Sequence, residues 1–130
     1  MATLFTKIIE GQIPSYKIAE DANFFAFLDI NPNAIGHTLV VPKKEVNKLF
    51  DLELDTYIEL MLFSRRVALA LEKSVSCKRI GMSVIGLEVP HVHIHLIPLN
   101  EMKEATFGSK ISLTPDEFKN LAQKIANNFE

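Results

Sequence analysis

The sequence predicts an α+β domain: an antiparallel five-stranded meander sheet with one long central helix, a short N-terminal helix and a C-terminal helix. Two patterns lead to this expectation. Five short apolar-rich segments are bounded by turn residues, and two longer stretches carry helical apolar spacing. Length supplies a third constraint, since 130 residues can bury a real core but are too few for two independent ones. One domain over residues 1–130 follows, with its core in 1–100 and a C-terminal extension and helix in 101–130.

Phe5 to Glu10 has room for one or two helical turns before Gly11, and Pro14 opens an extended segment. Strands are expected at Tyr16–Glu20, Phe24–Asp29 and His37–Val41. Asp21-Ala22-Asn23 forms a polar turn between the first two, and Asn31-Pro32-Asn33 with Gly36 breaks the chain before the third. From Asp51 to Lys73 good helix formers run without Gly or Pro. Leu54, Ile58, Met61, Leu62 and Leu69 form one stripe and Leu60, Phe63, Val67 and Leu71 another. A helix apolar on two stripes needs cover on more than one side. It is expected on the sheet and against a second subunit, although other elements of the same chain would also provide the cover.

Strands at Arg79–Ile85 and His91–Pro98 follow, joined by Gly86-Leu87-Glu88-Val89-Pro90. The last helix announces its start with Thr114 as N-cap, Pro115 in the first turn and Glu117 at the capping-box position. Phe118, Leu121, Ala122, Ile125 and Phe129 mark its apolar face.

Composition narrows the function classes. Apolar residues at 48% and charged residues at 23% suit a folded globular chain. A net charge of -2 with scattered lysines offers no stripe for a nucleic acid backbone, so polymeric nucleic acid is not an expected partner. Cys77 is the lone cysteine, so no internal disulfide forms. Met1 to Gly11 lacks the pattern of a secretory signal, and no apolar run reaches the ~20 residues of a membrane helix. A cytoplasmic protein without membrane attachment is expected.

Three of the four histidines, His91, His93 and His95, occupy alternate positions of one expected strand. Their side chains then share a face at a spacing of roughly 6.5 to 7 Å, with Val92, Ile94 and Leu96 turned to the core. Any one histidine alone is most simply a structural residue; three in alternation are not. Two chemistries fit such a row. Imidazoles two apart on a strand can chelate a metal, though no cysteine lies near and the adjacent acid in sequence is Glu88. An imidazole is also a nucleophile at neutral pH without activation, able to attack an α-phosphorus while its neighbours hold phosphate oxygens. Gly86 permits close backbone approach, so amides of the preceding turn would bind phosphate without a lysine.

His91-Val92-His93-Ile94-His95-Leu96 resembles the His-x-His-x-His-x-x signature of the histidine triad (HIT) family. The resemblance extends to Lys7–Ser15, to Ala26–Pro32 and to Gly36–Lys44, and the C-terminal helix is similar to that of short bacterial members. It implies a homodimer with a continuous antiparallel sheet, acting at the α-phosphate of purine nucleotide conjugates such as those of AMP, with no cofactor. His93 matches the nucleophile, His95 the phosphate-binding residue, and His91 and His37 the supporting imidazoles. Asp29 matches the ribose-binding acid, and Phe5, Ile8, Ile13, Phe27 and Ile30 match the slot around the base. Gly86 and Glu88 match positions beside the phosphate.

The chain also departs from the family pattern. Many bacterial members hold a structural zinc, but Thr3 and Thr6 stand at its cysteine positions and Glu45 at its histidine, so no metal is expected. Leu87 replaces the usual glutamine, and Arg79-Ile80-Gly81 lacks the usual asparagine. Leu87 and Ile80 lend weight to an alternative, a protein that binds nucleotide through the same site without turning it over. A histidine metal site is the third reading.

Overall fold

A computed structural model describes residues 2–130 of the chain. Its helices are α1 (Leu4–Ile9), α2 (Leu54–Ser74) and α3 (Pro115–Asn128), and its strands are β1 (Lys17–Glu20), β2 (Phe24–Leu28), β3 (Thr38–Pro42), β4 (Arg79–Ser83) and β5 (Ile94–Leu99). All strands pair antiparallel in one sheet of order β1-β2-β3-β5-β4.

The five-stranded antiparallel sheet with three helices matches expectation, but only β1, β2 and β3 form a simple meander. The 21 residues of α2, about 30 Å of helix, carry the chain past the sheet, so that β4 lands at the outer edge and β5 returns between β3 and β4. Polarity explains the exchange. Nearly all of Ile94–Leu99 is buried, which suits an interior strand, whereas Arg79–Ser83 is partly exposed throughout and suits an edge.

Strand periodicity divides the sheet into two faces. Phe24, Ala26 and Leu28 of β2, Val40 of β3 and Ile94 and Leu96 of β5 meet α2 and α3 in the main core. From α2 this core takes Leu60, Phe63, Val67 and Leu71, all buried, each worth about 1.5–3 kcal/mol on removal from water. The opposite face carries Phe25 and Phe27 of β2 and Leu39 and Val41 of β3, covered by Phe5 and Ile8 of α1. His91 and His93 pack against Phe5 on this second face.

The start of α3 is as the sequence indicates: Thr114 Oγ1 accepts from Glu117 N–H at 3.1 Å, and Glu117 Oε1 accepts from Thr114 N–H at 2.9 Å. The long helix begins later than expected, because Leu49–Asp51 forms a separate 3-10 turn and Leu52 is extended. Its second stripe, Leu54, Ile58, Leu62 and Leu69, is exposed. Only Met61 of that set packs against the main core.

The turn entering β3 depends on Gly36, whose φ of +93° suits glycine and whose Cβ position would lie 3.0 Å from Val75 and 3.1 Å from Pro98. That turn delivers His37 to the second face. No helix among the described residues is long and apolar enough to cross a membrane.

Candidate active site

His91, Val92 and His93 precede β5 instead of belonging to it, a correction to the strand expected over His91–Pro98. His91 N–H closes a tight turn onto Val89 O at 2.8 Å and Val92 N–H goes to Val46 O, so regular pairing with β3 begins only at Ile94. The three imidazoles therefore do not form a straight row. His93 and His95 stand together with ring centroids 5.0 Å apart, while His91 is wholly buried and lines neither cleft described below.

Hydrogen-bond partners fix where each ring carries its proton. A carbonyl only accepts, so the 2.8 Å bond from His93 Nδ1 to His91 O places a hydrogen on Nδ1 and leaves Nε2 of the neutral ring with a free electron pair. His91 donates through Nε2 to Pro42 O at 2.7 Å and accepts at Nδ1 from the Thr3 hydroxyl at 2.8 Å. His37 Nδ1 accepts from Asn33 N–H at 2.9 Å, which puts the proton of neutral His37 on Nε2. That Nε2–H donates to His95 Nδ1 at 3.0 Å, leaving His95 Nε2–H as a donor toward the clefts.

Burial, followed by the field of neighbouring groups, keeps this pair neutral: His37 is lowered to about 3 and His95 to about 4. Burial likewise lowers His91. Asp29, whose carboxyl burial raises, approaches His37 Nε2 at 3.6 Å and accepts from Asn31 N–H at 2.8 Å.

Two clefts meet at His93 and His95. One, of about 240 Å³, is walled by Phe5, Ile8, Ile13, Phe27 and Ile30, with Asp29 at its side, and so gathers every residue assigned from sequence to a base and ribose site. Phe5 packs edge-on against His93 at 4.8 Å. The other, of about 470 Å³, contains Gly86, at φ +75°, together with Leu87, Phe107 and Lys110. Glu88 borders both. His37 stays behind the clefts and acts on them through His95.

A sequence profile of the HIT domain matches residues 10–102. The chain belongs to the histidine triad (HIT) family. It is 36% identical over 96% of both chains to an uncharacterized HIT-like protein of Borreliella burgdorferi. It is 32% identical over 98% of both chains to an adenosine 5'-monophosphoramidase of Schizosaccharomyces pombe. Among solved structures, a HIT-like protein of Bartonella henselae described as involved in cell-cycle regulation superposes with TM-score 0.84 at 31% identity, covering 98% of this chain and 96% of that one. A zinc-bound HIT family protein of Mycobacterium smegmatis gives 0.82 at 27% identity, covering 98% and 93%.

For this HIT protein the family's structural zinc does not fit. Thr3, Thr6, Glu45 and His91 do come together, but they satisfy one another. Glu45 Oε1 accepts from Thr3 N–H at 2.8 Å and from the Thr6 hydroxyl at 2.7 Å, and these bonds, the Thr3 amide first, hold its carboxyl below the usual range. The lone pair of His91 Nδ1 is taken by the Thr3 hydroxyl, and neutral hydroxyls are poor substitutes for thiolates. Hydrogen bonds thus tie α1 to His91 through residues that are poorly suited to hold a zinc ion.

A second cluster, Asp29, His37 and His95, brings three ligand atoms within 4.8 Å of one another. The fold supplies an acid here that the local sequence around Glu88 did not suggest. Yet His37 Nε2 carries the proton given to His95, so the facing nitrogens are joined to each other and offer no paired lone pairs to a cation.

Sequence reasoning missed Asn33, Phe107 and Lys110. The last two lie beyond the family profile, and no local motif marks them.

The Thr3 network predicts that a chelator leaves the unfolding temperature of the purified protein unchanged. Thr3→Val should lower stability by roughly 1–2 kcal/mol in urea titration, having lost a helix cap as well as the His91 contact. A chelator-sensitive transition would contradict this arrangement. Because His37 and His95 titrate below the unfolded value of 6.5, the unfolded chain takes up protons first as pH falls. Stability should be level above about pH 7 and then decline toward pH 4.5, by at most ~1.4 kcal/mol per pH unit for each ring. Asp29 acts in the opposite sense near the acid end of this window. Urea midpoints at pH 7.5, 6 and 5 check the slope, and a flat profile would contradict the neutral pair.

Proposed function

We propose that this protein cleaves purine nucleotide conjugates at the α-phosphate through a nucleotidyl-histidine on His93. The observation that carries the reading is His93 itself: Nδ1 is pinned by His91 O, Nε2 is left free, and the ring stands at the junction of two clefts. Nucleotide hydrolase activity in the family and the adenosine 5'-monophosphoramidase relatives support the same reading.

The base takes the slot walled by Phe5, Ile8, Ile13, Phe27 and Ile30, where apolar side chains face its rings. Asp29, whose Oδ1 is held by Asn31 N–H, presents Oδ2 to the ribose hydroxyls. His93 Nε2 attacks phosphorus, forming an N–P bond as the bond to the leaving group breaks. His95 Nε2–H, oriented by His37, donates to a phosphate oxygen as charge builds there. Water then adds to phosphorus, the N–P electron pair returns to Nε2, and the nucleoside monophosphate is released.

The proposal includes a homodimer. Leu54, Ile58, Leu62 and Leu69 make an apolar stripe on α2, and β4 pairs on one side only, with Met82 exposed. A second copy seated on this region would bury the stripe and extend the sheet.

His93→Ala should reduce turnover of adenosine phosphoramidate or a dinucleoside polyphosphate by at least 10³-fold while the circular dichroism spectrum stays unchanged. Retained turnover in that variant rules the mechanism out. Leu62→Glu should convert the protein to a monomer in sedimentation velocity, and a dimer that survives the substitution places the interface elsewhere.

A further inference from the structure

The cleft on the far side of His93 and His95 from the base slot holds one positively charged side chain among its lining residues, Lys110. It is set in place by a chain of contacts. Lys110 Nζ lies 2.7 Å from Asn33 Oδ1, and Asn33, only 3% exposed, donates through Nδ2 to Glu104 O at 3.1 Å. Ile111 N–H is bonded to Pro32 O at 3.0 Å, so the extension is docked on both sides of the lysine. The ammonium also stands 5.0 Å over the Phe107 ring, and Phe107 in turn packs edge-on against His95 at 4.8 Å.

This arrangement reaches the reacting groups electrostatically. Lys110 contributes to the lowering of both His37 and His95 and opposes the rise of Asp29. Ile85, Leu87 and Phe107 give the rest of the cleft an apolar and aromatic surface. Glu88 borders it too and, like Lys110, is exposed, but Lys110 is fixed by its bond to Asn33 Oδ1, whereas no hydrogen bond among the described residues holds the Glu88 carboxylate toward the cleft.

We propose that this cleft receives a phosphate-bearing leaving group, so that the preferred substrates are nucleotide conjugates whose α-phosphate is joined by an anhydride to a further phosphate. The inference rests on the base slot and His93 chemistry proposed above. Attack by His93 Nε2 forms the N–P bond and breaks the bridging P–O bond. The electron pair stays on the bridging oxygen of the departing phosphate, and Lys110 offsets the added charge. An uncharged amine leaving group gains nothing from Lys110. Lys110 lies in the C-terminal extension, outside the residues 10–102 that the family profile matches.

Calorimetric titration of the full chain with AMP and with α,β-methylene ADP, which cannot be cleaved at the bridge, tests the assignment without turnover. The wild-type protein should bind the methylene ADP at least tenfold more tightly than AMP. In Lys110→Ala the ratio of the two affinities should fall to within threefold, and Lys110→Arg should restore most of it. Equal affinities in the wild type, or a ratio that survives Lys110→Ala, overturns the leaving-group assignment alone. Failure of AMP itself to bind overturns the nucleotide reading beneath it.

Discussion

The hydrogen bond from Asn33 N–H to His37 Nδ1 orders the protons of the whole site. Because a backbone amide can only donate, His37 must present its own proton at Nε2, His95 must accept at Nδ1, and His95 Nε2–H must face the clefts. The His91 carbonyl does the complementary work on His93, holding a hydrogen on Nδ1 so that Nε2 is bare. An N–H donor on His95 and a bare imidazole nitrogen on His93 are thus set side by side by main-chain groups, without any strong base. Burial keeps His37 and His95 neutral, and neutral rings are what this ordering requires.

Such an arrangement needs a rigid support, and the two-faced sheet provides it. The larger core beneath β2, β3 and β5 is apolar and backed by α2 and α3, so the opposite face is free to carry polar groups. The short helix α1, with Ile13 and Val89 beside it, covers the apolar part of that face. A helix of six residues has little stability of its own, and it is held by Phe5 and Ile8 in the second cluster and by the Thr3, Thr6 and Glu45 bonds at its start. Phe5 lines the smaller cleft and also packs against His93, so anchoring α1 also shapes the site.

The C-terminal extension reaches the same site from the other direction. Lys110 and Phe107 come to His95 because Asn33 and Pro32, in the turn that also supplies the Asn33 amide to His37, bond residues 104–111: Asn33 Nδ2 donates to Glu104 O, while Asn33 Oδ1 and Pro32 O accept from Lys110 and Ile111. One turn therefore orients His37 and, through it, His95, and docks the segment that brings Lys110 and Phe107 to the second cleft.

Local sequence was sufficient for much of this. Turn residues and apolar alternation mark the strands to within a residue or two in β1, β2 and β3, and the Thr114 and Glu117 cap marks α3, because these signals act between neighbours in the chain. The triad spacing and its companions identify the family, and the residues that the sequence matched to a base slot do come together in one cleft beside His93. The order of β4 and β5, the break in β5 before Ile94, and the meeting of Asp29, His37 and His95 were decided only by tertiary structure, since each depends on which distant strands exchange backbone hydrogen bonds. The same holds for the proton positions, the mutual hydrogen bonds of Thr3, Thr6, Glu45 and His91, and the arrival of Lys110. A periodic pattern says which way a side chain points; it does not say what stands opposite, and here the partner across the gap sets the chemistry.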